Sequence, residues 1–265
     1  MPLNSFQTLV VKLLAANRSE SAYLAGGAAI NLLPESHRYS SDLDYFHDSE
    51  KHVQEAFQDD LKILNSEGFD VEIVLQVPSM IRAVVSRGSD AVKIEWVHDT
   101  AWRFLPLVAD ELTGFRMHPV DLAINKVLAL AGRNEARDYL DVIVLDQELL
   151  PLGALCWAAC GKDPGYSPQS LLEMLKRKGP FRKEDFLNLQ TKEKLDLVSL
   201  KVKWIVALEK SEEFIKNRPA SEAGCLYWHI IQKVFVAPES SLPVDQLQDI
   251  VQHFGRPAGV LPLVK

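Results

Sequence analysis

Residues 22–46 read AYLAGGAAINLLPESHRYSSDLDYF, and the fold is decided in this stretch. Ala22 to Ala25 form a short apolar strand, Gly26-Gly27 makes a turn, and a short helix follows for which Pro34 is the expected stop. After the polar loop ESHRYSS, DLDYF alternates polar and apolar residues and ends on aromatics, the pattern of a half-buried strand. Upstream, SFQTLVVKLLAAN places Phe6, Leu9, Val10, Leu13 and Leu14 at the spacing of one buried helical face. Downstream, Lys51 to Glu67 reads as a helix. The runs FDVEIVLQV, MIRAVVSRG and DAVKIEWVH then read as strands, being β-branched and bounded by Gly, Pro, Ser or Asp. The first hundred residues therefore predict one mixed sheet with flanking helices.

After FRMHP the period changes. Val120 to Leu130 and Tyr139 to Leu150 repeat their apolar residues every 3.6 positions, and the strand signal fades. The expectation is an α+β protein with a sheet domain over 1–117 and a mainly α-helical domain over 118–265, Pro119 standing in the first turn of the helix that opens it. The segment GKDPGYSPQS reads as a loop, and there is no internal repeat or low-complexity tract.

At 265 residues the chain can bury a sizeable core, and its 47% hydrophobic and 25% charged composition excludes wholesale disorder, collagen and coiled coil. With 29 Lys and Arg against 36 Asp and Glu, the net charge of -7 excludes an obligate polycation coating nucleic acid. Residues 162–203 are locally basic, with ten Lys or Arg against six Asp or Glu. Three cysteines, Cys156, Cys160 and Cys225, cannot all pair, and the opening MPLNSFQTLVVKLLAANRSE has no secretory pattern. A reducing cytoplasm and buried thiols are expected. No apolar run is long enough to suggest a membrane span.

Asp42 and Asp44, two apart on a strand, project their carboxylates from one face. Such a pair suits Mg²⁺ carrying a triphosphate, since this ion takes few carboxylates and leaves room for substrate oxygens, although a solvated strand end gives the same pattern. Gly26-Gly27 lies fifteen residues before Asp42, and a glycine turn opening a helix lets backbone N–H groups approach phosphate. In KIEW, alternation puts Lys93 and Glu95 on one face. Glu95 is then available as a third metal carboxylate or a general base, with Glu72 as its competitor and a Lys93–Glu95 surface pair as the bland alternative. Lys126 and Arg133, seven apart, share a helical face if the helix continues through Gly132, a placement suited to gripping phosphate.

Taken in order, Gly26-Gly27, Arg38-Tyr39-Ser40-Ser41-Asp42-Leu43-Asp44, Lys93-Ile94-Glu95, and Lys126 through Arg133 to Arg137-Asp138 and Asp141 resemble the AbiEii-type nucleotidyltransferases of the DNA polymerase β superfamily. The resemblance spans roughly residues 20–145. It implies a minimal nucleotidyltransferase sheet with a helical C-terminal region, and transfer of a nucleoside monophosphate from an NTP with release of pyrophosphate. By the same resemblance Gly26 and Gly27 hold the triphosphate, with Arg38 and Ser40 beside them. Asp42, Asp44 and Glu95 ligate Mg²⁺ or Mn²⁺, Lys126 contacts nucleotide phosphate and with Arg133 grips the leaving pyrophosphate, and Asp138 and Asp141 order the helix and nucleotide pocket. An RNA or tRNA end is the favoured acceptor, with Lys176, Arg177, Lys178, Arg182 and Lys183 as a candidate RNA-backbone contact, and an antitoxin protein is an implied partner. The alternatives are a nucleotide-sugar glycosyltransferase, a same-fold enzyme acting on a protein or small molecule, and a non-catalytic NTP-binding module.

Overall fold

The computed structural model describes residues 3–33, 36–179, 181–239 and 241–263. Pro34, the expected helix stop, lies outside the described residues. The chain divides into two compact units, Met1–Ala101 with Pro106–Leu122, and Trp102–Leu105 with Ala123–Lys265.

Along the first unit run α1 (Ser5–Leu14), β1 (Ala22–Ala25), α2 (Gly26–Asn31), β2 (Asp42–His47), α3 (Glu50–Ser66), β3 (Asp70–Val77), β4 (Met80–Arg87), β5 (Asp90–His98), β7 (Val108–Asp110) and β8 (Gly114–Arg116), while β6 (Trp102–Arg103) belongs to the second unit. The start of α1 is fixed by a capping box: Gln7 N–H donates to Asn4 Oδ1 at 2.7 Å, and Asn4 N–H donates back to Gln7 Oε1 at 3.0 Å. Ser49 caps α3, its hydroxyl oxygen accepting from His52 N–H at 3.2 Å.

The seven strands of the first unit lie in the order β3-β4-β5-β2-β1-β8-β7. The sheet is mixed, because β2 runs parallel to β5 and β1 parallel to β8, whereas the other neighbours are antiparallel. Alternation divides β2 between two environments. Leu43, Tyr45 and His47 are fully buried, as are Ile94 and Trp96 on β5 and Ile81, Ala83 and Val85 on β4. They join Val10, Val11 and Leu14 of α1 and Val53, Phe57 and Leu64 of α3 in one core. The opposite face carries Asp42, Asp44, Lys93, Glu95 and Arg82.

The helix α4 (Pro119–Gly132) begins in the first unit and continues into the second. The second unit adds α5 (Ala136–Glu148), α6 (Leu152–Lys162), α7 (Pro168–Lys176) and α8 (Leu197–Asn217), with α6 packed against α7 and α8. Its core includes Leu155, Cys156, Trp157, Leu171, Leu175 and Trp204. The expected helical character holds, with one addition that the sequence pattern did not reveal. The strands β9 (Leu226–His229), β10 (Val234–Val236) and β11 (Ile250–His253) form a small antiparallel sheet, and β12 (Arg256–Pro257) pairs with β6. These strands are two to four residues long, too short to display a two-residue period.

Candidate active site

The sheet face of the first unit gathers Gly26, Gly27, Arg38, Ser40, Asp42, Asp44 and Glu95. Gly26 follows β1 directly and adopts a φ of +59°, a left-handed conformation that favours glycine. A Cβ there would lie 1.8 Å from Asp44 Oδ2, so no side chain fits while Asp44 keeps its place. Gly27 N–H donates to the same oxygen at 3.4 Å, and a Cβ at Gly27 would meet Ser40 Oγ at 2.9 Å and an Arg38 guanidinium nitrogen at 3.1 Å. The glycine pair is therefore a cradle walled by Asp44, Ser40 and Arg38.

The loop before β2 is itself held in place. Gln7 Nε2 donates to the Ser40 carbonyl at 2.7 Å, and Ser36 Oγ donates to Asn31 Oδ1 at 2.6 Å and to the Arg38 carbonyl at 3.0 Å. Ser40 Oγ donates to Asp42 Oδ1 at 3.1 Å. Arg38, Ser40 and Asp42 are all buried, and Asp44 is half-buried.

Parallel pairing of β2 with β5 sets Lys93 opposite Asp42 and Glu95 opposite Asp44. Glu95 is thus on the neighbouring strand, whereas Glu72 sits on β3, three strands from β2 and about 14 Å away at ordinary strand spacing. Lys93 Nζ lies 3.0 Å from Asp42 Oδ2 and 2.9 Å from Glu95 Oε1. Burial works against its charge, but the hydrogen bonds and proximity of Glu95 and Asp42 outweigh this and hold the ammonium above the ordinary lysine range. Arg82 Nε donates to Glu95 Oε1 at 2.9 Å from the other side. The sequence reading did not single out Arg82, yet hairpin arithmetic finds it. A turn at Gly88-Ser89 pairs Arg87 with Asp90, and counting back pairs Arg82 with Glu95.

In the second unit, Lys126, Arg133, Asp138 and Asp141 converge. Lys126 Nζ donates to Asp138 Oδ1 at 2.8 Å and lies 3.0 Å from Asp141 Oδ2. Arg133 stands one residue beyond α4 and donates to both oxygens of Asp138, at 2.6 and 3.2 Å. Burial alone would raise the Asp138 carboxyl, but Lys126 and Arg133 together lower it to about 2. Arg137 Nε lies 4.0 Å from Glu135 Oε2. In the basic segment, Lys176 Nζ is bonded to Glu173 at 2.8 Å and to Glu212 at 3.0 Å.

Asp42 and Asp44 are the two carboxylates on this face that could hold a divalent cation. No group of three or more His, Cys, Asp or Glu able to hold a metal occurs among the described residues. Two carboxylates beside a cradle too tight for a Cβ nevertheless fit Mg²⁺, which needs one or two protein carboxylates when substrate phosphates supply other ligands. Among the described residues no single helix is long and apolar enough to cross a membrane.

The mixed sheet with its glycine turn and paired carboxylates has the form expected of a nucleotidyltransferase. A Helicobacter pylori protein assigned as a nucleotidyltransferase superposes with a TM-score of 0.54 at 18% identity, covering 80% of this chain and 94% of that one. MenT4, a nucleotidyltransferase toxin from Mycobacterium tuberculosis, superposes at 0.50 with 15% identity, covering 82% and 83%. No curated protein matches the chain in sequence. The model of the AbiEii nucleotidyltransferase toxin family, of type IV toxin–antitoxin systems, matches residues 8–201, and the chain belongs to that family.

Proposed function

We propose that this nucleotidyltransferase moves a nucleoside monophosphate from an NTP to an acceptor hydroxyl, an RNA or tRNA end, and releases pyrophosphate. The observation that carries the reading is the contact between Gly26 and Asp44. Only a turn without side chains can sit this close to Asp44, which leaves bare backbone for phosphate beside one of the two proposed metal carboxylates.

In this reading Gly26 and Gly27 bring backbone against the triphosphate, with Arg38 and Ser40 at its flank. Asp42 and Asp44 would hold Mg²⁺ or Mn²⁺, which would supply neutralisation of the charge that develops on the leaving pyrophosphate. Glu95, directly across from Asp44, is the carboxylate in register to take the acceptor's proton or to act as a further metal ligand. Within the second unit, Asp138 and Asp141 orient the Lys126 ammonium and Arg133 braces Asp138, an arrangement suited to presenting that ammonium to a phosphate. Lys176, Arg177, Lys178, Arg182 and Lys183 attract the acceptor backbone. An antitoxin protein restrains the activity in the cytoplasm.

The test is Mg²⁺-dependent label transfer from each of four α-labelled NTPs to total RNA, beside Asp42→Asn/Asp44→Asn. Label on RNA that disappears in the variant is the expected result. Label on polypeptide would refute the RNA acceptor, and binding of metal and NTP without transfer to any acceptor would refute turnover. Growth arrest on expression, relieved by Asp44→Asn, tests the toxin role.

A further inference from the structure

We infer that Lys93 is a resident counter-cation of the carboxylate face, occupying the place between Asp42 and Glu95 so that the site takes up a divalent cation together with a nucleotide rather than alone. The inference rests on the reading of Asp42 and Asp44 as metal ligands.

The geometry is specific. The ammonium bridges two carboxylates on adjacent strands, 3.0 Å from Asp42 and 2.9 Å from Glu95, and Arg82 binds the same Glu95 oxygen at 2.9 Å. The three carboxylates thus face Lys93 and Arg82, with the Arg38 guanidinium at the wall of the glycine cradle, so much of their charge is met with no metal bound. A free divalent ion arriving at Asp42 must displace or repel an ammonium already there. A metal–triphosphate brings its own negative charge, and the displaced ammonium then has phosphate oxygens to pair with. Lys93 is able to make this exchange because its side chain is 37% exposed and carries a compact charge on a flexible stem. The contrast is Arg18 with Asp60, both side chains at 0% exposure, where no such exchange has room.

The closing experiment measures Mn²⁺ binding to the full chain by calorimetry and electron paramagnetic resonance. It is run without nucleotide and then with each of four NTPs whose α–β bridge cannot be cleaved. Removing one positive charge in contact with Asp42 at a part-exposed site is expected to tighten nucleotide-free Mn²⁺ binding about tenfold in Lys93→Met. Lys93→Gln gives a second neutral variant should the first fold poorly, and Lys93→Arg, which keeps the charge, should stay within about threefold of wild type. The advantage that nucleotide gives to Mn²⁺ binding should shrink in both neutral variants.

Unchanged or weaker nucleotide-free binding in the neutral variants overturns the inference while leaving the metal site standing. Mn²⁺ that still binds Asp42→Asn/Asp44→Asn, or that fails to bind wild type even with nucleotide, overturns the metal reading itself, and this inference with it.

Discussion

Asp138→Asn tests whether the second unit is held by charge where Lys126 and Arg133 converge. The carboxylate is fully buried and accepts from Lys126 at 2.8 Å and from Arg133 at 2.6 and 3.2 Å. Breaking a buried pair by removing one partner typically costs about 3–5 kcal/mol. Two features reduce that here: Lys126 keeps Asp141 at 3.0 Å, and Arg133, 49% exposed, regains water. The titration gives a separate figure. A carboxyl lowered from 3.8 to about 2 stabilises the fold by about 2 kcal/mol at neutral pH. Because the folded-state value is depressed, this contribution is complete above pH 4 and is lost as the pH falls toward 2. The variant should therefore lose about 2 kcal/mol at pH 7 by urea denaturation. The gap from wild type should close in melts carried from pH 5 toward pH 2. A variant as stable as wild type at pH 7 would refute the argument, and a gap that persists to pH 2 would show that the loss is packing rather than charge.

Gly26→Ala should cost about 1–3 kcal/mol from its left-handed backbone and should also displace Asp44. Gly88→Ala, at a φ of +66° with nothing within 4 Å of the added Cβ, should cost only the backbone share and leave Mn²⁺ binding intact. Equal effects of the two on Mn²⁺ affinity would refute the cradle. Asp60→Asn should destabilise by about 3 kcal/mol or more, because it strips the charge partner from fully buried Arg18, and urea midpoints will measure it. Burial pushes the Cys160 and Cys225 thiols up to about 12 and raises Cys156 as well, so a thiol reagent at pH 8 should label the native chain slowly and all three cysteines once urea is added. Cys160 is half-buried, so rapid labelling of Cys156 or Cys225 in the folded chain is the result that would contradict their burial.

Much of the first unit was legible because its strands are long enough to show their period. DLDYF, MIRAVVSRG and DAVKIEWVH each alternate over five residues or more, and each became a strand of the main sheet. In the C-terminal region, LYWH, VFV and IVQH are too short to stand out from helical patterning, and only long-range pairing reveals them. For the site, spacing two apart was enough to place Asp42 and Asp44 on one face. Spacing did not reveal that Lys93 bridges Asp42 and Glu95, because that contact depends on the register between β2 and β5, whereas the pairing of Arg82 with Glu95 follows from the hairpin turn at Gly88-Ser89. Nor did periodicity show that Lys126 and Arg133 turn their charges toward one buried aspartate. That convergence requires the helix to break after Gly132 and restart at Ala136, which periodicity alone does not announce.

Register is also what ties the two faces of the sheet together. A slip of one residue in β2 would drive Asp42 and Asp44 into the core and bring Leu43 and Tyr45 out, so the carboxylates stay in place only as firmly as the opposite face is locked. The lock is visible. Arg18 stacks over the Tyr45 ring at 4.2 Å, and its guanidinium pairs with Asp60, whose other oxygen accepts from Trp96 Nε1 at 2.7 Å. Tyr45 and Trp96 are direct partners across β2 and β5, one residue on from Asp44 and Glu95. The buried Arg18–Asp60 pair therefore reaches both strands at the step adjoining the carboxylates. A hydrophobic replacement of that pair can match its stability and still lose the polar contact that fixes which residue of β2 stands opposite which residue of β5.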